Sequence, residues 1–333
     1  MAINPDLGIV IIGRNEGERL VRCLASVRGQ ARIVYVDSGS TDDSVAKARA
    51  AGADVVSLDL AIPFTAARAR NAGRAALGSD VRTIQFVDGD CAIQPGWLDT
   101  ARAVLDADPG LAAVFGRRRE IAPEASTYNW LCDVEWTVPP GPVRQFGGDV
   151  MLRAEALDAA GGYPGEMIAG EEPDLSMRLG ARGWRMVCLP VEMTLHDAAI
   201  TRFSQWWRRA ERSGHAYAEL EARHPGVYRR RVRAAIFWGA LVPGGALLLL
   251  LAAAMSGIGA LAWLALVPAL LLVAQFVRVA VRERRVRPWR QAMTWSWFLL
   301  LDKPPHALGI ARYWLARLRG RRTALIEYKE RAA

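Results

Sequence analysis

Between Ala234 and Val277 the chain carries no charged residue, a gap of about 44 positions in a sequence of 333. A solvated surface helix is excluded there. A membrane-crossing helix takes about 20 apolar residues, so the gap predicts two crossings, about 234–255 and 259–280, with a turn near "SGIG" (256–259). Other features are scarce or missing. The opening "MAINPDLGIV" has neither the basic start nor the long apolar stretch of a signal peptide. The four cysteines, Cys23, Cys91, Cys132 and Cys188, form no CxxC and no zinc-knuckle spacing. That excludes a zinc module and a dithiol redox centre, and predicts reduced thiols, mostly in the core. No G-x-G-x-x-G spacing follows the first apolar run, where the turn reads "GRNEG" (13–17), and G-x-x-x-x-G-K-[ST] is absent throughout. A nicotinamide-dependent oxidoreductase and a P-loop ATPase thereby lose their main signature.

What is present begins with charge. The formal net charge is +9, and much of the basic excess lies beside the apolar gap, in "RRRVRA" (229–234), "RVAVRERRVRPWRQ" (278–291) and "LARLRGRR" (315–322). Anionic lipid headgroups are a simpler partner for these runs than nucleic acid. Because both flanks are basic and the intervening turn is uncharged, the positive-inside rule predicts a multi-pass protein of the plasma or inner membrane. Its flanks and large N-terminal region then face the cytoplasm. Three regions are expected: a domain over 1–225, two membrane helices within 226–281, and a basic juxtamembrane region over 282–333. Asp302, Lys303, Pro304 and Pro305 interrupt the apolar stretch after residue 292. The sequence there predicts a re-entrant or interfacial helix, then an amphipathic one over 306–319.

Upstream, short apolar runs alternate with helix-like stretches. "GIVIIG" (8–13), "RIVYVD" (32–37), "DVVSLD" (54–59) and "TIQFVD" (83–88) are followed by helical patterns at 16–27, 41–52, 64–77 and 95–107. Such alternation predicts an α/β domain with a mainly parallel sheet covered on both faces. Ligands of these sheets sit at the carboxyl ends of the strands. There the chain gathers Arg14, Asn15 and Glu16, then Asp37 with "SGST", then Asp88 and Asp90. Helix caps account for single acids of this kind. They do not account for acids at three strand ends meeting on one edge.

With no glycine-rich phosphate cradle, a bound phosphate needs another neutralising group. A divalent cation, Mg²⁺ or Mn²⁺, held by one or two carboxylates supplies it. In "VDGDC" (87–91) Gly89 would permit a turn that swings Asp90 inward, toward the side of Asp88.

The motifs "VIIGRNE" (10–16), "VDSGSTDDS" (36–44), "ARARNAG" (67–73), "VDGD" (87–90) and "GEEPDLSMRL" (170–179) occur in the order and spacing of a known family. Over residues 8–220 the chain resembles the family-2 inverting glycosyltransferases of the GT-A fold. The resemblance implies a UDP- or GDP-sugar donor and a divalent cation. It places Asp37, Ser40 and Glu16 at the nucleoside, and Arg70 and Asn71 near the nucleotide and its diphosphate. Asp88 and Gly89 would face the donor, with Asp90, assisted by Asp88, on the cation.

Inverting transfer needs a base opposite the leaving group. The family supplies an acidic motif, commonly G-E-D, at a helix start; here Glu172 stands where the aspartate is expected, with Glu171 and Asp174 as competitors. Pro173 suits the first turn of that helix. Three further residues have two readings each. Asp149, in "FGGDVML" (146–152), either contacts a sugar hydroxyl or packs a strand turn. His196 is either a late metal ligand or an ordinary loop histidine. "QWWRR" (205–209) resembles the Q-x-x-R-W segment of processive members but ends in Arg209, so Arg208 either meets the departing diphosphate or belongs to an interfacial helix.

The expected activity is sugar transfer to an acceptor hydroxyl, that of a lipid-linked glycan in surface polysaccharide assembly. A polyprenyl-phosphate monosaccharide synthase and a catalytically silent membrane adaptor are the alternatives.

Overall fold

The computed structural model describes residues 4–321 together with 323 and 326. Arg322, part of one basic run, lies outside them, as does most of the chain beyond it. The described chain forms two compact units that divide at Gln205, inside a helix and ahead of the expected limit at 225.

The first unit is built on nine strands: β1 (Asn4–Gly13), β2 (Ala31–Asp37), β3 (Asp54–Ser57), β4 (Thr83–Asp88), β5 (Cys91–Ile93), β6 (Leu111–Glu120), β7 (Gly141–Val143), β8 (Val150–Arg153) and β9 (Arg185–His196). Its helices are α1 (Glu18–Val27), α2 (Ser44–Ala50), α3 (Ala66–Leu77), α4 (Trp97–Ala107), α5 (Thr127–Glu135), α6 (Ala154–Ala159) and α7 (Glu171–Ala181). The sheet order is β3-β2-β1-β4-β8-β6-β9-β5, with β7 added on β9. The four strands on one side run parallel, as their alternation with helices requires. Beyond β4 the sheet is mixed, because β8 runs antiparallel to both β4 and β6, while β6 and β9 are parallel.

Strands buried on both faces read as continuous apolar runs, and Ile9, Val10 and Ile11 of β1 are fully inaccessible. Helix α3 lies close enough on β1 that a Cβ on Gly73 would sit 2.2 Å from Val10 Cγ1. Thr65 caps α3 by accepting from the Arg68 N–H. Register then fixes the functional edge. Gly13 pairs with Asp37 and Ile12 with Asp88, so the ends of β1, β2 and β4 lie side by side. His196, the last residue of β9, pairs with Cys91 on one neighbour and Glu120 on the other.

The second unit is helical. It holds most of α8 (Phe203–Arg223), then α9 (Arg229–Ile236), a π-helical turn over Phe237–Leu241, α10 (Val242–Ser256), α11 (Gly259–Leu264), α12 (Leu266–Glu283), α13 (Trp289–Leu301) and α14 (Lys303–Leu318). Two helical stretches, Arg229–Ser256 and Gly259–Glu283, are long and apolar enough to cross a membrane, and Gly257 turns between them at φ 71°. Asp302 separates α13 from α14. Helices α8 and α14 meet at glycine: a Cβ on Gly309 would lie 2.0 Å from the Glu211 carbonyl oxygen, and one on Gly214 would lie 2.2 Å from that of His306. Glu211 and Arg312 pair across the same contact at 2.6 Å. Trp206 is buried in this unit with its ring edge-on to Phe298.

Candidate active site

Asp37 ends β2 and folds its carboxylate back on its own loop, accepting the Gly39 and Ser40 N–H groups at 3.0 and 3.1 Å. Asn15 takes a positive φ of 55°. Its side chain accepts from the Thr41 N–H at 2.7 Å, while its own N–H donates to Ser40 Oγ at 2.9 Å. The "GRNE" and "SGST" turns are thus one interlocked unit. Arg14 lays its guanidinium over Phe64, 4.5 Å from the ring centre. Glu16 is buried, pairs with Arg19 at 3.0 Å, and packs beneath Gly13 and Gly89.

Gly89 lies in the expected turn after β4. It is not among the residues of positive φ, so left-handed backbone is not the reason for glycine. Space is: a Cβ there would lie 3.2 Å from the Ile12 carbonyl oxygen and 3.3 Å from the Glu16 side chain, and the Gly89 N–H donates to that same oxygen at 2.8 Å.

The turn separates the two aspartates chemically. Asp88 is flanked by two arginines, accepting from Arg70 Nη2 at 3.0 Å and Arg118 Nη2 at 3.2 Å. Asp90 is buried, and its Oδ2 stands 3.2 Å from His196 Nε2. The other ring nitrogen, Nδ1, faces Glu120 Oε2 at 3.1 Å. A neutral imidazole has one N–H for two carboxylates. A divalent cation could take the lone pairs of the remaining nitrogen and of the carboxylate facing it. Asp90 and His196, with the Cys91 sulfur in the same group, therefore fit a divalent cation by the chemistry of the donor set. Asp88 falls in a second group with Cys91 and Asp149, but Arg70 and Arg118 already occupy its two oxygens.

Asp149 is spent inside the protein. Its Oδ1 accepts the Asp88 N–H at 3.0 Å and its Oδ2 the Thr194 hydroxyl at 2.7 Å. Asn71 is also committed, bonding the Tyr163 N–H and carbonyl at 2.9 and 2.8 Å and so fixing the loop ahead of α7. These hydrogen bonds tie both residues into the framework around the site. Arg208 lies on α8 beyond Gln205, exposed on the second unit.

Arg70 joins the aspartates to the acidic helix start. Its guanidinium donates to Glu171 Oε1 at 2.8 Å and lies 3.3 Å from Glu172 Oε1. Burial alone would lower its pKa, but Glu172, Asp88 and Glu171 outweigh that and raise it. Gly148 leaves room for this cluster, since a Cβ there would meet Arg70 Nη2 at 2.7 Å and Asp88 Oδ2 at 2.9 Å. The three acids of α7 then differ. Glu171 is held by Arg70 and Asp174 by Arg178 at 2.7 Å. Glu172 is the most open, with 17% of its side chain accessible. Burial, and next the charge of Glu171, push its pKa up to about 7.

Arg118, Glu120 and Trp136 had no motif to announce them. Arg118 stacks over Trp136 at 4.8 Å and its Nη2 donates to Cys91 Sγ at 2.9 Å. The signal for the first two is faint: "AVFGRRRE" (113–120) is an apolar run that turns charged at its carboxyl end, as "TIQFVD" does. A separate cavity of about 530 Å³ lies at the amino ends of β6 and β9, lined by Leu111, Val143, Met177 and Trp184 among others. It is away from these carboxylates and plays no part in their arrangement.

Comparison with known proteins points to the same fold. The family described as "Glycosyl transferase family 2" matches residues 8–148, and "Glycosyl transferase family group 2" matches 126–277. A pre-mycofactocin glycosyltransferase of Mycobacterium tuberculosis is 29% identical over 236 residues, covering 66% of this chain and 48% of its own. The chain thus spans about half the length of that relative. The succinoglycan biosynthesis protein ExoU of Rhizobium meliloti is 29% identical over 206 residues, 55% of this chain and 59% of its own. Among solved structures, the mannosyltransferase PcManGT from Pyrobaculum calidifontis, in complex with GDP-Man and Mn²⁺, superposes with a TM-score of 0.56 at 20% identity, covering 92% of this chain and 89% of its own. That likeness establishes the GT-A fold. With the five motifs in order on that fold, the chain is similar to the glycosyltransferases of family 2 over residues 8–277.

Proposed function

We propose that the protein transfers a sugar from a nucleoside-diphosphate donor to an acceptor hydroxyl with inversion, Glu172 acting as the base. The observation that carries this reading is the division of the α7 acids: Glu171 and Asp174 sit against arginines at 2.8 and 2.7 Å, while Glu172 lies farther from Arg70, at 3.3 Å, is the most open, and has its pKa pushed up to about 7. A base of that strength is matched to removing a hydroxyl proton at physiological pH. The acceptor oxygen attacks the anomeric carbon, the bond to the diphosphate breaks, and the proton passes to Glu172. Asp90 and His196 would hold a divalent cation, which neutralises charge on the departing diphosphate. Arg70 and Arg118 hold the Asp88 carboxylate from two sides, where it would face the donor.

The two long apolar helices, with 11% and 6% of their most apolar windows buried, support placement in a membrane with the basic flanks cytoplasmic. Such a placement would bring a lipid-linked acceptor for surface glycan assembly within reach of the site. The succinoglycan role in the name of one relative points the same way.

The test is purified full-length protein in detergent, Mn²⁺ or Mg²⁺, a panel of UDP- and GDP-sugars, and membrane lipid extract, scored by released nucleoside diphosphate. Turnover that depends on both metal and lipid extract is expected. No turnover with any donor would overturn the reading. Full activity in Glu172→Gln would instead indicate an acceptor that is already ionised, such as a polyprenyl phosphate.

A further inference from the structure

We propose that Glu120 is a positioning residue that fixes the tautomer of His196, so that Nε2 offers its lone pair to a divalent cation shared with Asp90. The inference rests on the metal reading above and goes past it to a residue that no motif marks. Glu120 ends β6 with a fully buried side chain. Both of its oxygens also accept the Ala198 N–H at 3.2 Å, and its own N–H donates to Asp133 Oδ1 at 2.9 Å. The carboxylate is therefore fixed on several sides. With a cation on Nε2, the single hydrogen of a neutral His196 would sit on Nδ1, 3.1 Å from Glu120 Oε2, which can accept it. Nε2 faces Asp90 Oδ2 3.2 Å away.

Two further contacts set the plane of the ring. Trp136 meets it edge-on, with centroids 4.4 Å apart and an angle of 79°. The Ile121 N–H donates to the His196 carbonyl at 2.8 Å, tying the backbone of β9 to the end of β6. Metal-binding imidazoles depend on such a partner at the other nitrogen, which orients the ring and raises its basicity. β6 thereby serves both aspartates: Arg118 binds Asp88, and two residues on Glu120 binds the histidine of Asp90.

The experiment titrates Mn²⁺ into the full-length protein in detergent, alone and with saturating UDP or GDP, counting free Mn²⁺ by electron paramagnetic resonance. In Glu120→Gln the Mn²⁺ dissociation constant should rise about 10- to 100-fold, while the melting temperature of the metal-free protein stays near that of wild type. Asp133→Asn, which loosens Glu120 only through its backbone N–H, should leave the constant unchanged. Wild-type Mn²⁺ affinity in Glu120→Gln, or an equal loss in Asp133→Asn, would overturn the inference. Should Glu120→Gln fail to fold, Glu120→Asp keeps the charge and shortens the reach, and a smaller loss of affinity is expected; no loss overturns it. Wild-type affinity in Asp90→Asn would overturn the metal reading itself, a separate result.

Discussion

The first unit keeps charge inside, and the second turns apolar side chains outward. Arg70, Asp90, Glu120, Asp149 and Glu171 are all buried around one sheet edge, whereas Leu248 and Leu270 of the helical unit are 67% and 65% exposed. Each is costly in water without a remedy. The first unit's remedy is pairing, in which every arginine of the cluster serves at least two acids. The second is held where helices touch, by glycines that let α8 and α14 approach to backbone contact. One unit should therefore be sensitive to removing a charge, the other to adding a carbon or a charge.

The largest effect is expected where a charge does chemistry. Glu172→Gln should lower kcat by about 10²- to 10⁴-fold, measured as nucleoside diphosphate release. Next comes a charge that only holds others. Arg70→Met leaves Glu171 buried without its partner, and should cost about 3–5 kcal/mol of stability, read from denaturant unfolding of the full chain.

The helical unit is tested the opposite way. Leu248→Arg places a charge on an outward face, and membrane insertion should weaken by about 2.5–3.5 kcal/mol, read as loss from the carbonate-resistant membrane fraction. Gly309→Ala forces a Cβ toward the Glu211 carbonyl; the overpacking should cost about 1–3 kcal/mol and lower the melting temperature without changing Mn²⁺ affinity.

The remaining test is a pH dependence. Glu172 binds its proton more tightly folded than unfolded, its pKa rising from 4.5 to about 7. Wild type therefore loses stability as pH climbs through that window, because the folded state holds the extra proton. Glu172→Gln has no such proton, so its stability relative to wild type should rise from pH 4.5 and level off past about 7. Activity in wild type should rise across the same limb, since the base works deprotonated. A flat profile in both would remove Glu172 from the role.

The α/β alternation, the apolar gap and the five motifs were legible because each is local: hydrophobic period, strand-end polarity and residue spacing lie within short windows. By these the sequence determined the parallel half of the sheet, the strand-end acids and the pair of long apolar helices. Other facts depended on segments far apart in the chain. Which oxygen of Asp88 meets which arginine joins residues 70, 88 and 118. The pairing of His196 with Glu120 spans 76 positions and depends on the register of β6 against β9. Asp149 and Asn71 look like site residues in sequence, yet their polar atoms close on Thr194 and Tyr163. Gly89 carries no mark of why it is glycine until Ile12 and Glu16 are seen against it. A carboxylate's task is set by the cation that faces it, and only tertiary structure decides which cation that is.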